Sequence, residues 1–387
     1  MDITPVAFYE HQLGDSEKTA LLGSIANPIL TSGPICKTVE QQLSEYFHVR
    51  NVKLVNSWTN GALATLMSFG VGPGDEVIIP SMTFIACANI VELLGAKPIF
   101  CDVSEDNLLV TAENIRPLVT ERTKVIMVVH MYGQMCDVKS IHSEFSPLGI
   151  RILEDCAHSF ESTRDGYRPG AYSDAAVFSF YATKNVTCGE GGAVITNDDS
   201  LHLELTQRVL HGMSAGAADR FKTGSYSHWN MDILGIKANL PDVLASLLPS
   251  QIASADVKLQ SRITLAERYD NALISSPIRI PTRNQVDTHA LHLYPIWIPS
   301  GLRDSVLCIL SKHKVGATVN FRPINEMNFY KNKYGKSINE TPTSSSWGAG
   351  VLSLPLYPGL SLESQDRVIK ILQNEIYNLI VKADSND

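Results

Sequence analysis

Five things are scarce or missing in these 387 residues, and each closes a class of explanation. No Cys-x-x-Cys pair occurs; seven cysteines, an odd number, stand singly at 36, 87, 101, 136, 156, 188 and 308. Neither a zinc site nor a disulfide framework is expected, and most of these thiols read as small core side chains. No stretch approaches the roughly 18 consecutive apolar residues of a membrane span. The start, Met1-Asp-Ile-Thr-Pro-Val-Ala-Phe-Tyr-Glu-His11, has neither the basic nor the apolar segment of a leader, so a soluble, cytoplasmic protein is expected. Basic excess is also absent: 32 Lys and Arg against 40 Asp and Glu give a formal charge of -8, which speaks against a nucleic-acid or membrane partner. A local pocket can still be basic inside an acidic protein. Last, Asn56 to Ala62 contains no Gly-x-Gly-x-x-Gly run, as a nicotinamide-binding Rossmann domain would need after its first strand.

What is present is an ordinary globular composition, 44% hydrophobic and 19% charged, long enough for two domains. From about Lys53 to Asp198 short apolar runs alternate with amphipathic stretches, the mark of a mostly parallel α/β sheet. Val77–Pro80, Pro98–Phe100, Val125–Val129, Ile150–Leu153 and Ala175–Phe178 are predicted strands, with helices over Gly61–Phe69 and Ile85–Leu94. Arg208–Ile236 reads as a long surface segment. Helical spacing returns over Leu240–Ser254 and Val257–Leu273. After Pro277 the pattern shifts to separate strands, including His292–Trp297, with helices at Asp304–Lys312 and Leu362–Ile380. Two domains are therefore expected, a large one over 1–255 and a smaller α+β one over 256–387, ending in a disordered tail from Ala383. There is no internal repeat and no low-complexity segment.

The chemistry concentrates where predicted strands end. Phe178-Ser-Phe-Tyr-Ala-Thr-Lys184 closes an apolar run on a single lysine, and Gly189-Glu-Gly-Gly192 turns into the next run. Most lysines are solvated charges; this one is presented by a strand, a glycine turn and a second strand. Glu154-Asp155-Cys-Ala-His158 ends another apolar run with two carboxylates, costly there without a partner or a task, although Asp155 could also cap a helix. A lysine able to form a Schiff base and a carboxylate able to face a pyridinium nitrogen form the pairing that pyridoxal phosphate (PLP) chemistry needs. Asn56-Ser-Trp-Thr59-Asn60-Gly61 opens a helix, whose free N–H groups suit a phosphate, although Ser and Thr there are more often plain caps. Phe84, after Pro80-Ser-Met-Thr, can stack on a flat ring or fill the core. Ser179 stands near enough to Lys184 to reach the same phosphate. Ligands bind outside the carboxyl ends of such strands, so these pieces converge if the strands share one sheet.

Taken in order, Ser57-x-Thr59, Gly74-Asp-Glu-Val-Ile-Ile-Pro-Ser81, Gly95-Ala-Lys-Pro-Ile-Phe-Cys-Asp102, Glu154-Asp-Cys-Ala-His158, Ser179-Phe-x-x-x-Lys184 and Gly189-Glu-Gly-Gly192 resemble the DegT/DnrJ/EryC1/StrS sugar aminotransferases. The resemblance runs from about Leu30 to the last helix. It implies a fold-type-I aminotransferase, with a mostly parallel seven-stranded-type sheet in the large domain and a smaller C-terminal α+β domain. Asn56-Ser-Trp-Thr59, Lys184-Asn-Val-Thr-Cys188, Val209-Leu-His-Gly212 and Gly235-Ile-Lys237-Ala-Asn239-Leu-Pro-Asp242 are most similar to the branch that makes UDP-4-amino-4-deoxy-L-arabinose and related 4-amino sugars. Phe84 stands where that branch often has tryptophan, Asn320 where histidine is common, and Ala238 where an aromatic is usual.

By that resemblance Lys184 holds PLP and then serves as general base and acid, and Asp155 keeps the pyridine nitrogen protonated. Phe84 stacks on the ring, and His158 sits beside Asp155 or the 3′-oxygen. Ser179, the Thr59–Asn60 backbone and Asn239 of the second subunit hold the phosphate, which implies a homodimer with shared active sites. Lys237, Asn320 and Arg322 fall on the sugar side. The implied reaction carries the amino group of L-glutamate, which leaves as 2-oxoglutarate, to C4 of a nucleotide-linked keto sugar. Alternatives are a 3-keto-sugar aminotransferase, a sugar C3-dehydratase (whose branch carries histidine in place of the lysine) and a catalytically idle nucleotide-sugar-binding paralogue.

Overall fold

The computed structural model describes residues 4–214, 228–299, 301–335 and 339–384. The apolar runs become strands: β1 (Asn51–Val55), β2 (Glu76–Pro80), β3 (Lys97–Cys101), β4 (Thr123–Val129), β5 (Arg151–Asp155), β6 (Ala175–Ser179) and β7 (Gly192–Thr196). They form one sheet in the order β1-β7-β6-β5-β4-β2-β3. Pairings from β6 through β5, β4 and β2 to β3 are parallel; β7 runs antiparallel to both its neighbours. This is the mostly parallel, seven-stranded sheet that the resemblance implies.

The runs are apolar throughout because both faces of the sheet are covered. β6 and β7 show this residue by residue. Ala175 and Val177 of β6, with Val194 of β7, pack into one hydrophobic cluster, on the face of the helices Trp58–Ser68 and Ala86–Leu93. Ala176 and Phe178 of β6, with Ala193 and Ile195 of β7, pack into the opposite one, with Leu43 and Phe47 of the helix Pro34–Phe47. Alternation of side chains along a strand places them so.

A third cluster belongs to the C-terminal part. The antiparallel pair β8 (Tyr294–Trp297) and β9 (Val351–Leu354) packs there with the helices Arg303–Lys312 and Leu362–Ile371. The expected Leu362–Ile380 helix is two, with a π turn at Leu372–Ile376 and a continuation over Tyr377–Asp384 that extends into the segment expected to be a disordered tail. Residues 385–387, and residues 215–227 of the expected surface segment, lie outside the described residues.

The two helical stretches expected around residue 255 differ from what is found. Asp242–Ala245 is a single short turn, and Pro249–Leu273 is one unbroken helix of 25 residues. Pro249 opens it, where a missing N–H costs nothing, and no further Gly or Pro interrupts it. Ile252 and Ala255 enter the cluster under the sheet, while Leu265, Ala266, Tyr269 and Leu273 enter the C-terminal cluster. A boundary at 255/256 thus falls inside this helix; we propose two domains bridged by it. Among the described residues no helix is long and apolar enough to cross a membrane.

Candidate active site

β5 and β6 pair in parallel, so they end side by side, one on Asp155 and the other on Ser179. Beyond β6 the chain is pinned before it returns as β7. Phe180 N–H donates to Gly191 O, Cys188 N–H to Phe180 O, and Gln251 of the long helix clasps Thr187 through both its N–H and its carbonyl. Within that pinned loop Lys184 N–H donates to Tyr181 O in a tight turn. Gly192 allows the approach of β7 to the helix start: a Cβ there would lie 2.6 Å from Phe178 O and 3.0 Å from Trp58 N.

These ends open on one cavity of about 690 Å³. Thr59, Phe84, Asp155, His158, Ser179, Lys184 and Asn320 all line it. Asn60, Lys237, Asn239 and Arg322 do not. The Asn60 side chain donates to Asn56 Oδ1, and its backbone N–H is taken by Ser57, the N-cap of the helix. Lys237 is exposed. The Asn239 amide nitrogen donates to Ser32 Oγ at 2.7 Å and Thr31 Oγ1 at 3.2 Å within its own chain, while its Oδ1 is buried without a partner. Arg322 borders a separate, more open space with Arg303 and Glu326.

Burial raises the Asp155 carboxyl above its ordinary range; the Ala157 N–H at 3.0 Å, the Lys184 charge and the Cys87 thiol at 3.4 Å pull it back down. Burial lowers the Lys184 ammonium to about 8, against the pull of Asp155. His158 is pushed well below the usual histidine range, by burial first and then by the charges of Lys184 and His292. Its Nδ1 accepts Tyr132 N–H at 3.3 Å, so the neutral ring carries its proton on Nε2. Glu154, the second carboxylate of the motif, has a structural task. It points into the core, bonded to His130 Nε2 at 2.6 Å, to Gly170 N–H at 2.8 Å and to the Ser173 hydroxyl.

The sequence reading missed four residues here. His292 Nε2 lies 3.5 Å from Lys184 Nζ, and behind it stand Asn185, Glu161 and Arg262. Arg262 carries the one signal that could have been read: an arginine within the apolar stripe Leu259, Leu265, Ala266, Tyr269, where a charge requires a buried partner. Lys258, half-buried on the cavity wall, makes no hydrogen bond or ion pair among the described residues.

The residues present fit a flat, anionic pyridine cofactor. Phe84 presents a ring that is 56% exposed, 6.2 Å from that of Phe321. A carboxylate and an amine of opposite sign occupy the floor, and the first turn of a helix faces the cavity through Thr59. Trp58 Nε1 and Asn320 Oδ1, both on cavity-lining residues, are buried polar atoms without a partner.

The profile of the DegT/DnrJ/EryC1/StrS aminotransferase family matches residues 11–373. The chain belongs to that family. Among its relatives is the spore coat polysaccharide biosynthesis protein SpsC of Bacillus subtilis (strain 168), 31% identical over 368 residues, covering 94% of this chain and 95% of that protein. Spr1654 of Streptococcus pneumoniae in its PMP form superposes with a TM-score of 0.90 at 25% identity, over 99% of this chain and 100% of the other, and has also been solved in a PLP form. Helicobacter pylori PseC, an aminotransferase involved in the biosynthesis of pseudoaminic acid, superposes at 0.88 with 26% identity, over 96% and 98%. As a DegT/DnrJ/EryC1/StrS member, the protein is a PLP-dependent sugar aminotransferase.

Proposed function

We propose that the protein transfers the amino group of L-glutamate to the C4 keto carbon of a nucleotide-linked deoxy sugar, for a surface polysaccharide or another glycan. One observation carries the reading: Lys184 and Asp155, from different strand ends, share the floor of a single cavity large enough for cofactor and sugar together. PLP, when bound, supplies the electron sink that stabilises negative charge at the donor carbon. Asp155 would face its pyridine nitrogen, Phe84 one ring face, and Ser179 and the Thr59 turn its phosphate, with His158 beside Asp155. The Lys184 amine would remove the proton of the donor carbon in the first half-reaction and, in the second, deliver one to the former keto carbon. An amine depressed to about 8 is available as a base near neutral pH, where an ordinary lysine is not. Lys258 supports an anionic substrate, because it offers a cation without an ion-pair partner among the described residues at the wall of an acidic protein's cavity. Asn320 lines the same cavity and would meet the sugar; Arg322 and Lys237 would reach it only through movement or from a second subunit.

We further propose a homodimer with shared sites, in which Asn239 serves the neighbour's phosphate. Ile29 and Leu30 are 37% and 50% exposed and stand directly before Thr31 and Ser32, which hold Asn239. Such a surface suits a second copy, although the Asn239 amide must then leave one of its own hydroxyl partners.

The substrate is tested with a panel of UDP-, GDP- and dTDP-linked 3-keto and 4-keto sugars, each with glutamate, and identification of the products. A 4-amino sugar with equimolar 2-oxoglutarate is expected. Amination confined to 3-keto sugars would move the reaction to C3, and no product from any member would overturn the nucleotide-sugar assignment.

A further inference from the structure

Lys184 has a neighbour whose state is set by the residues behind it. His292, just before β8, places Nε2 3.5 Å from Lys184 Nζ. Its other nitrogen, Nδ1, lies 3.2 Å from Asn185 Oδ1. The direction of that bond follows from its surroundings. The Asn185 amide nitrogen already donates to Glu161 Oε2 at 2.9 Å and Ala290 O at 3.1 Å, so Oδ1 faces the ring and must accept. Glu161 is held in turn by Arg262 at 2.7 Å, both about 1% exposed, and Arg262 Nε also donates to Ala290 O at 3.1 Å. The imidazole therefore carries its proton on Nδ1, and Nε2 is an acceptor turned toward the amine.

We propose that His292 is a positioning residue for Lys184: its Nε2 accepts one N–H of the amine and so aims the amine's remaining valence into the cavity, with Asn185, Glu161 and Arg262 locking the tautomer. This rests on Lys184 being the acid–base group. The cofactor-free lysine is the relevant state, because the amine must be free of covalent attachment whenever it moves a proton. At 3.5 Å the contact is long, as hydrogen bonds in sites without their ligands often are.

The titratable and charged groups around the amine are Asp155 at the end of β5, His158 in the loop beyond it, His292 before β8, and the Glu161–Arg262 pair behind Asn185. Burial holds His292 well below the ordinary histidine range, aided by the Lys184 and Arg262 charges, and His158 is likewise depressed. Both rings are neutral where Lys184 titrates. A neutral acceptor favours the ammonium form, so its removal must lower the lysine's midpoint; a cationic histidine would do the reverse.

Competitive acetylation of the full-length, cofactor-free protein, read by mass spectrometry across pH, reports the Lys184 midpoint directly. The unsubstituted protein should show it near 8. His292→Phe should lower it by about one pH unit, the tenfold effect of losing one hydrogen bond from a charged donor. Asn185→Ala, which frees the tautomer, should shift it in the same direction by less, and serves alone if His292→Phe does not fold. The loaded variants should lose kcat with KM little changed. An unmoved or raised midpoint in either folded variant overturns the proposal. The labelling uses neither sugar nor donor, so a wrong substrate leaves it standing. Borohydride reduction of the PLP-loaded protein separates the remaining cases: a cofactor adduct on another lysine ends both readings, whereas one on Lys184 with an unmoved midpoint ends only this one.

Discussion

A lysine is a base only when neutral, and at Lys184 burial is what brings neutrality within reach, lowering the ammonium to about 8 while Asp155 opposes it. Lys184→Ala should remove the cofactor's absorbance band and abolish turnover while circular dichroism stays unchanged. An active variant, or a borohydride adduct elsewhere, would show that another lysine carries the chemistry. Asp155→Asn keeps the shape of the side chain and loses its charge. It should retain PLP and slow the half-reaction with glutamate on the order of 10²-fold or more, because the missing charge matters most when negative charge develops on the donor. Near-normal turnover would reduce Asp155 to the role its Ala157 contact already suggests, a cap on the following turn. Lys258 is a different case, since it has no hydrogen bond or ion pair among the described residues. Lys258→Ala should raise KM for the anionic substrate roughly tenfold with kcat held, the signature of uniform binding; an unchanged KM removes it from the site.

At the scale of elements, the site is built from terminations. β5 ends on Asp155 and β6 on Ser179, and the helix Trp58–Ser68 meets the cavity in its first turn at Thr59. Ser57 caps that helix through Asn60 N–H at 3.1 Å. Ser57→Ala should cost about 1 kcal/mol, read as a lower denaturant midpoint at unchanged slope. The long helix Pro249–Leu273 reaches the site through Gln251, which clasps the loop of Lys184, and Arg262, which pairs with Glu161. Glu161→Ala leaves a buried guanidinium uncompensated and should destabilise the fold by about 3–5 kcal/mol. A loss below about 1 kcal/mol would mean that water or Ala290 O satisfies Arg262 without the carboxylate.

For the whole molecule the open question is whether one chain makes one site. If Asn239 serves the neighbour's cofactor, Lys184→Ala and Asn239→Ala damage different halves of each composite site. Asn239→Ala alone should lose PLP more readily. Mixing the two inactive variants, after subunit exchange, should restore one intact site in each mixed dimer and so recover part of the activity. Confirmed exchange without recovery would place Asn239 within its own subunit, where its bonds to Thr31 and Ser32 already hold it.

What could be read from the chain alone was whatever depends on neighbours in sequence. The strand runs were legible because a sheet covered on both faces demands apolar residues at every position, and Asp155, Ser179 and Lys184 because polar residues at strand ends stand out against those runs. The family resemblance, a matter of ordered motifs, was legible for the same reason. The helix break expected near residue 255 was not there, because local pattern cannot tell a pause in apolar spacing from a turn of helix that passes between two cores. Asn320 and Arg322 are two residues apart, yet one lines the cavity and the other borders a different space; packing alone decides that direction. Only the tertiary structure joins Glu161, Asn185, Arg262 and His292, drawn from separate elements across 131 positions of sequence, behind one lysine. Apart from the place of Arg262 in an apolar helical stripe, no short-range signal marks them, since each acquires its partner only when the chain closes and water is excluded from the pair.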